Sequence, residues 1–217
     1  MSEFFTDTRV AEVFAQYAER HRQELELTRD LPTGSFGARR DEFLLPVGAE
    51  VGAFLRALAV GRRPGRILEL GTSYGYSTLF LADAARQCGA QVVTVDLDAT
   101  KQAYARERLG EAGLAEFVDF RCGDAVGVIE ADEGEWGLVL LDIWKDLYVP
   151  CFEAVYPKLA EEGVIVSDNM IYPEGARDAV RRLREAIHAK GDLQTVLLPL
   201  GSGIELTVRW SAGNAKL

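Results

Sequence analysis

Two hydrophobic periods alternate along most of the chain. Short runs rich in apolar and β-branched residues stand at 66–71, 91–95, 117–121, 137–141 and 163–167. Each is too short for a buried helix and is bounded by turn residues, so each predicts a strand. Between them the apolar positions recur at helical spacing, predicting helices over about 75–87, 99–112, 147–156 and from Pro173 to about residue 190, closed by Gly191. A short helix is expected after Gly123-Asp124-Ala125. Residues 193–198 and 204–210 form a last pair of strands, joined by a Pro199–Gly203 linker too short for a crossover helix; this pair must be antiparallel.

Ahead of this alternation lies a helix over 7–28, capped by Thr6 or Asp7, with Val10, Val13, Phe14, Tyr17, His21 and Leu25 on one stripe. It is placed to cover the site or to make an oligomer contact, with His21 as a packed or interfacial residue. Residues 30–46 are turn-rich through Pro32, Gly34, Gly37 and Pro46, suiting a lid. A helix over 47–60 follows, ended by Gly61 and Pro64. The expected organisation is an N-terminal helix and lid-like segment, 1–46, and a main domain, 47–217, forming one structural domain. Its class is α/β: a mostly parallel sheet, one reversed strand, helices on both faces. Ligands of such sheets bind at the carboxyl ends of the strands, where Glu69, Asp96, Asp124, Asp142, Asp168 and Asn169 fall.

Composition narrows the partners. The net charge of −10 argues against nucleic acid and against an anionic membrane surface. No apolar run approaches the ~20 residues of a membrane span, and no signal peptide is readable. Cys88, Cys122 and Cys151 fit neither a disulfide framework nor a zinc site. They read as small buried apolar residues in a reducing, cytoplasmic setting. With only His21 and His188 present, and His188 solvated among charged neighbours, a histidine-based triad has little support.

The first strand ends in the turn Gly71-Thr-Ser-Tyr-Gly75. It lacks both the Gly-x-Gly-x-x-Gly of dinucleotide sites and the Lys-Ser/Thr of a P-loop. Glu69 would repel phosphate and suit a cation. S-adenosylmethionine, with an ammonium, a sulfonium and no phosphate, fits such a turn; a plain glycine-rich turn without ligand is the alternative. Asp96 ends the second strand where an acid accepts hydrogen bonds from a ribose, unless it caps the next helix, a task open to Asp98. Asp124 suits an adenine edge or an N-cap.

Asp142, Asp168 and Asn169 come from the ends of the fourth and fifth strands. Two carboxylates and an amide oxygen are hard ligands, suited to Mg²⁺ and poor for Zn²⁺. Neighbouring strand residues point to opposite faces, so the chain must already have turned at Asn169 for both to ligate. Capping and turn formation are the alternative for these residues. Lys145 reaches the same pocket; beside a cation its pKa should fall, making it a competent general base. Trp144 is a pocket wall or a core residue, and so is Phe43.

Three stretches, Ile67-Leu-Glu-Leu-Gly-Thr-Ser-Tyr-Gly-Tyr-Ser77, Leu140-Leu-Asp-Ile-Trp-Lys-Asp-Leu-Tyr148 and Val166-Ser-Asp-Asn-Met-Ile-Tyr-Pro173, together resemble the cation-dependent O-methyltransferases, the family of catechol O-methyltransferase. The resemblance implies a Rossmann-like seven-stranded methyltransferase fold with its last strand antiparallel. It implies S-adenosylmethionine contacts at Val47, Gly71, Ser73, Ser77, Asp96, Gly123 and Ala125, a set completed by Glu69, Leu97, Asp124 and Asp142. It implies a divalent cation, Mg²⁺ or else Mn²⁺ or Ca²⁺, at Asp142, Asp168 and Asn169, with Lys145 as base. Trp144, Pro173 and Phe43 match walls around a catechol ring. Two departures stand out: Ile143 replaces a histidine beside the cofactor, and Glu205 in the final strand is no confident match to the family's substrate-binding glutamate. The expected activity is methyl transfer to one hydroxyl of an aromatic vicinal diol, by a homodimer. The alternatives are a metal-independent small-molecule methyltransferase and a non-catalytic protein that binds the adenosyl ligand. A nicotinamide oxidoreductase is disfavoured by the missing glycine fingerprint.

Overall fold

The computed structural model describes residues 4–29, 32 and 35–210. The strands are β1 (Arg66–Leu70), β2 (Gln91–Asp96), β3 (Val118–Cys122), β4 (Trp136–Leu141), β5 (Leu159–Ser167), β6 (Leu193–Leu198) and β7 (Ile204–Arg209). They form one sheet in the order β3-β2-β1-β4-β5-β7-β6. β7 runs antiparallel to both β5 and β6, and the other pairings are parallel. The expected sheet and its reversed strand are therefore observed.

The helices are α1 (Thr8–Arg29), α2 (Ser35–Arg39), α3 (Ala49–Arg62), α4 (Tyr76–Cys88), α5 (Ala99–Glu111), α6 (Ala125–Ala131), α7 (Tyr148–Val155) and α8 (Arg177–His188). The two-residue period of the strands divides the core between the two sheet faces. Ile67, Val92, Leu138 and Val164 pack with Val10, Val13 and Tyr17 of α1, Val51 and Leu55 of α3 and Phe80 of α4. Leu68, Leu70, Val93 and Val139 pack with Ile129 of α6, Phe152 of α7 and Leu183 of α8. The N-terminal helix is thus part of the chain's own core. Among the described residues no helix is long and apolar enough to cross a membrane.

Several expected details shift. Asp7, not Thr6, caps α1, its Oδ1 accepting from the backbone N–H of Arg9 at 2.9 Å. Leu25 is 48% exposed, because α1 runs past the body of the domain at its C-terminal end. Gly61 lies inside α3; the helix is closed by Arg63 at φ 52°, whose N–H returns to the carbonyl of Ala59. Pro173 does not begin a helix. It precedes a 3-10 turn at Glu174–Ala176, and α8 starts at Arg177. Cys88 and Cys151 are buried, but Cys122 is exposed at the end of β3. Of the turn residues, Gly34 lies outside the described residues.

Candidate active site

The turn after β1 is fixed by the neighbouring strands. The N–H groups of Gly71 and Thr72 both donate to the carbonyl of Val95, and Asp142 N–H donates to Leu70. Gly71 has φ +103° and Gly75, at the start of α4, has φ +89°, conformations that glycine adopts without penalty. Ser73 N–H donates to Asp96 Oδ2 at 2.7 Å, and Asp98 N–H donates to Asp96 Oδ1 at 2.9 Å. Asp98 itself caps α5 through Thr100 and Lys101. The cap thus belongs to Asp98, and Asp96 ties the glycine turn to the end of β2.

Glu69 sits behind this turn, fully buried on the Ile67 face of the sheet. Its carboxylate accepts from Ser77, Thr78 and Thr94 hydroxyls, each at 2.6 Å. Burial nevertheless outweighs these bonds and pushes its pKa up to about 7. Glu69 and Ser77 therefore join the first turn of α4 to β1 and β2 from beneath, and neither lines the cavity in front.

That cavity, about 380 Å³, opens at the carboxyl ends of β1, β2, β4 and β5. Its size suits a small ligand. Gly71, Ser73, Asp96 and Leu97 line one side; Asp142, Trp144, Lys145, Asp168 and Asn169 line the other. β5 ends at Ser167, and Asn169 turns the chain with φ +57°, so Asp168 and Asn169 are not consecutive strand positions. Lys145 Nζ donates to Asn169 Oδ1 at 2.7 Å and also to Tyr148 Oη, which donates to the Asp168 carbonyl at 2.7 Å.

The electrostatics are set by burial. Asp168 is 2% exposed, and its carboxyl is pushed up to about 7 by burial and then by the charge of Asp142. Asp142 is raised for the same first reason, with Lys145 and Arg40 opposing. Burial lowers the Lys145 ammonium, against the pull of Asp142 and Asp168. Tyr148 is held well above the usual phenol range, so it stays a neutral donor. Asp168 Oδ1 is buried and has no hydrogen-bond partner. A buried, unsatisfied carboxylate oxygen beside a second carboxylate and an amide oxygen is a donor set that a hard divalent cation fits. Among the described residues no three His, Cys, Asp or Glu side chains gather at one point; this set is two carboxylates and an amide.

Of the remaining expected residues, all but Trp144 lie away from the cavity wall. Val47 and Phe43 are buried, Phe43 stacked on Phe36 with centroids 5.5 Å apart. Asp124 caps α6 through Gly127 N–H at 2.8 Å; Gly123 and buried Ala125 flank it, with Gly123 N–H donating to Asp96. Pro173 is exposed beyond the Asp168–Asn169 turn. Trp144 is a wall residue, 46% exposed. Sequence reasoning missed Tyr148, although its i+3 spacing from Lys145 was a usable signal. It had Arg40, Asp41, Leu45 and Pro46 only within a segment suited to a lid, and His21 only on a helix placed to cover the site, and it missed Lys101; all line the cavity.

The profile of the methyltransferase-domain family matches residues 68–170, from β1 to just beyond β5. The catechol O-methyltransferase of Niastella koreensis is 33% identical over 132 residues, 58% of this chain and 59% of that protein. Caffeoyl-CoA O-methyltransferase 1 of Arabidopsis thaliana is 28% identical over 189 residues, 77% of this chain and 73% of that one. Among solved structures, the O-methyltransferase TomG from Streptomyces achromogenes, in complex with SAM, superposes with a TM-score of 0.74 at 26% identity, covering 92% of this chain and 90% of that one. The match thus spans under two thirds of the Niastella relative, at 59% of its length.

Sheet order, glycine turn and cavity at the strand ends define a class I methyltransferase fold. Within that class, catechol and caffeoyl-CoA O-methyltransferases are among the proteins that this chain is similar to.

Proposed function

We propose that this chain moves a methyl group from S-adenosylmethionine to one hydroxyl of a catechol-like vicinal diol, with a divalent cation, releasing the methyl ether and S-adenosylhomocysteine. The observation that carries this is the grouping of Asp142, Asp168, Asn169 and Lys145 on one cavity wall, with Asp168 Oδ1 buried and unpaired. Asp142, Asp168 and Asn169 would hold the cation, which supplies Lewis acidity that lowers the pKa of a phenolic hydroxyl.

The chain's own residues supply the rest. The Gly71 turn, Ser73 and Asp96 cradle the donor on the opposite side of the cavity. Lys145 Nζ, its pKa lowered by burial, accepts the phenolic proton and later returns it to solvent. Tyr148 and Asn169 fix that nitrogen. Trp144 gives the ring a flat wall. Methyl transfer neutralises a positive sulfur and a negative oxygen, so a site that positions the pair and excludes bulk water favours it. The assembly is read as a homodimer, for which Leu25 and Leu27, 48% and 63% exposed, offer apolar surface.

The test is transfer of labelled methyl to catechol and to phenol, each with Mg²⁺ and after exhaustive chelation. Methylation of catechol alone, and only with Mg²⁺, is the expected result. Transfer that survives chelation, or that favours the single hydroxyl, rejects the proposal.

A further inference from the structure

Arg40 is the exception among the arginines. Of the half-buried arginines among the described residues, all others pair with a carboxylate, Arg20, Arg56, Arg66, Arg86, Arg121 and Arg209 among them. The other arginines without such a partner, such as Arg63 and Arg106, are exposed. Arg40 lines the cavity instead, its guanidinium carbon 5.0 Å from the ring centroid of Trp144. Its charge acts on both Asp142 and Lys145, so it lies within electrostatic reach of the proposed reacting centre. It sits on a 3-10 turn, Arg40–Glu42, anchored by the buried Phe43, whose N–H donates to the Arg40 carbonyl.

The other rim charges do not duplicate it. Lys101 pairs with Asp41 at 3.3 Å, which leaves Arg40, among the described residues, as the permanent cation at the mouth without a carboxylate partner, beside His21. A chain with a net charge of −10 repels anions at long range, so an anionic ligand needs a local cation to enter. One guanidinium presents a planar fork of N–H donors matched to one planar carboxylate, and a single charge balances a monoanion rather than a phosphate dianion.

We infer that Arg40 is a specificity residue that selects aromatic acceptors carrying a carboxylate away from the diol. The identity of the ring as a diol rests on the proposed methyl transfer; the selection of a carboxylate rests on Arg40 itself. The experiment is calorimetric titration of the enzyme, saturated with Mg²⁺ and S-adenosylhomocysteine, with 3,4-dihydroxybenzoate and with its methyl ester. The acid binds at least about tenfold tighter than the ester, as a charge-assisted hydrogen bond implies. In Arg40→Gln the acid falls to the affinity of the ester, and Arg40→Lys retains part of the preference. Equal binding of acid and ester by the natural chain, absence of acid binding, or a preference that survives in Arg40→Gln overturns the inference. So does a loss in Arg40→Gln that falls on S-adenosylhomocysteine, which would assign the residue to the donor. Acid-selective binding through Arg40 without any methyl transfer upholds the inference and rejects the proposed reaction.

Discussion

A Cβ atom placed on Gly71 would lie 2.0 Å from the backbone carbonyl oxygen of Asp142. The glycine turn of the donor side and the first residue of the acidic wall are thus in backbone contact, and φ +103° at Gly71 adds a second penalty for any side chain. Gly71→Ala is expected to displace both segments at once. S-adenosylhomocysteine affinity should fall by about tenfold or more and the melting temperature should drop, consistent with a few kcal/mol of strain. Calorimetry and thermal unfolding check both.

Lys145→Met removes the proposed base and keeps an unbranched, apolar-stemmed side chain. Because burial lowers the Lys145 pKa, the neutral amine appears at lower pH than for an exposed lysine, and natural turnover should rise with pH through that lowered value. The variant should lose this rising limb and about 10²- to 10⁴-fold in kcat, with S-adenosylhomocysteine affinity kept. A pH–rate profile of both proteins measures it.

Asp168 gives a stability test independent of turnover. Its folded pKa of about 7 stands above the ordinary 3.8, so its favourable contribution is full below the unfolded value and is lost as pH rises through 7. Without divalent cation, Asp168→Asn should therefore be more stable than the natural chain at pH 8, by about 1–3 kcal/mol, and the gap should close toward pH 4. Mg²⁺ should raise the melting temperature of the natural chain at pH 8 and leave that of the variant unchanged. Thermal unfolding at the two pH values, with and without Mg²⁺, decides it.

Glu69 is predicted to matter for the shape of the turn rather than for contact with the donor. It pairs in register with Thr94 across β1 and β2 and receives three hydroxyl bonds. Glu69→Ala leaves the Ser77 and Thr78 hydroxyls without their carboxylate partner in the core, while Thr94 keeps its bond to the Thr72 hydroxyl at 2.6 Å, at a cost of about 1–3 kcal/mol for each group left buried without a partner. Unfolding should shift accordingly, and donor affinity should fall with it. Hydrogen exchange should show faster opening at the first turn of α4.

The fold was legible because the period of the sequence changes sharply from two to three-and-a-half and back. The short Pro199–Gly203 linker by itself required β6 and β7 to run antiparallel. The errors lie in local detail: Gly61 stays helical because Arg63, not the glycine, takes the left-handed capping conformation, and Pro173 follows a turn at Asn169. The acidic wall was legible because strand ends converge in this topology. Glu69, two residues on from Ile67, shares its sheet face by the alternation of the strand and is buried behind the turn. Arg40 and Leu45 were not singled out within the lid-like segment because it has no periodicity, and only the folded chain brings them to the cavity.

Asp142, Asp168 and Asn169 are proposed to share one divalent cation. Titration with Mn²⁺, followed by the loss of the free-ion paramagnetic resonance signal, tests it without any assumption about the acceptor. One Mn²⁺ should bind per chain and be displaced by Mg²⁺, with binding abolished in Asp168→Ala and in Asp142→Ala while S-adenosylhomocysteine still binds Asp168→Ala. Absence of Mn²⁺ binding, or binding unchanged in both variants, would contradict it.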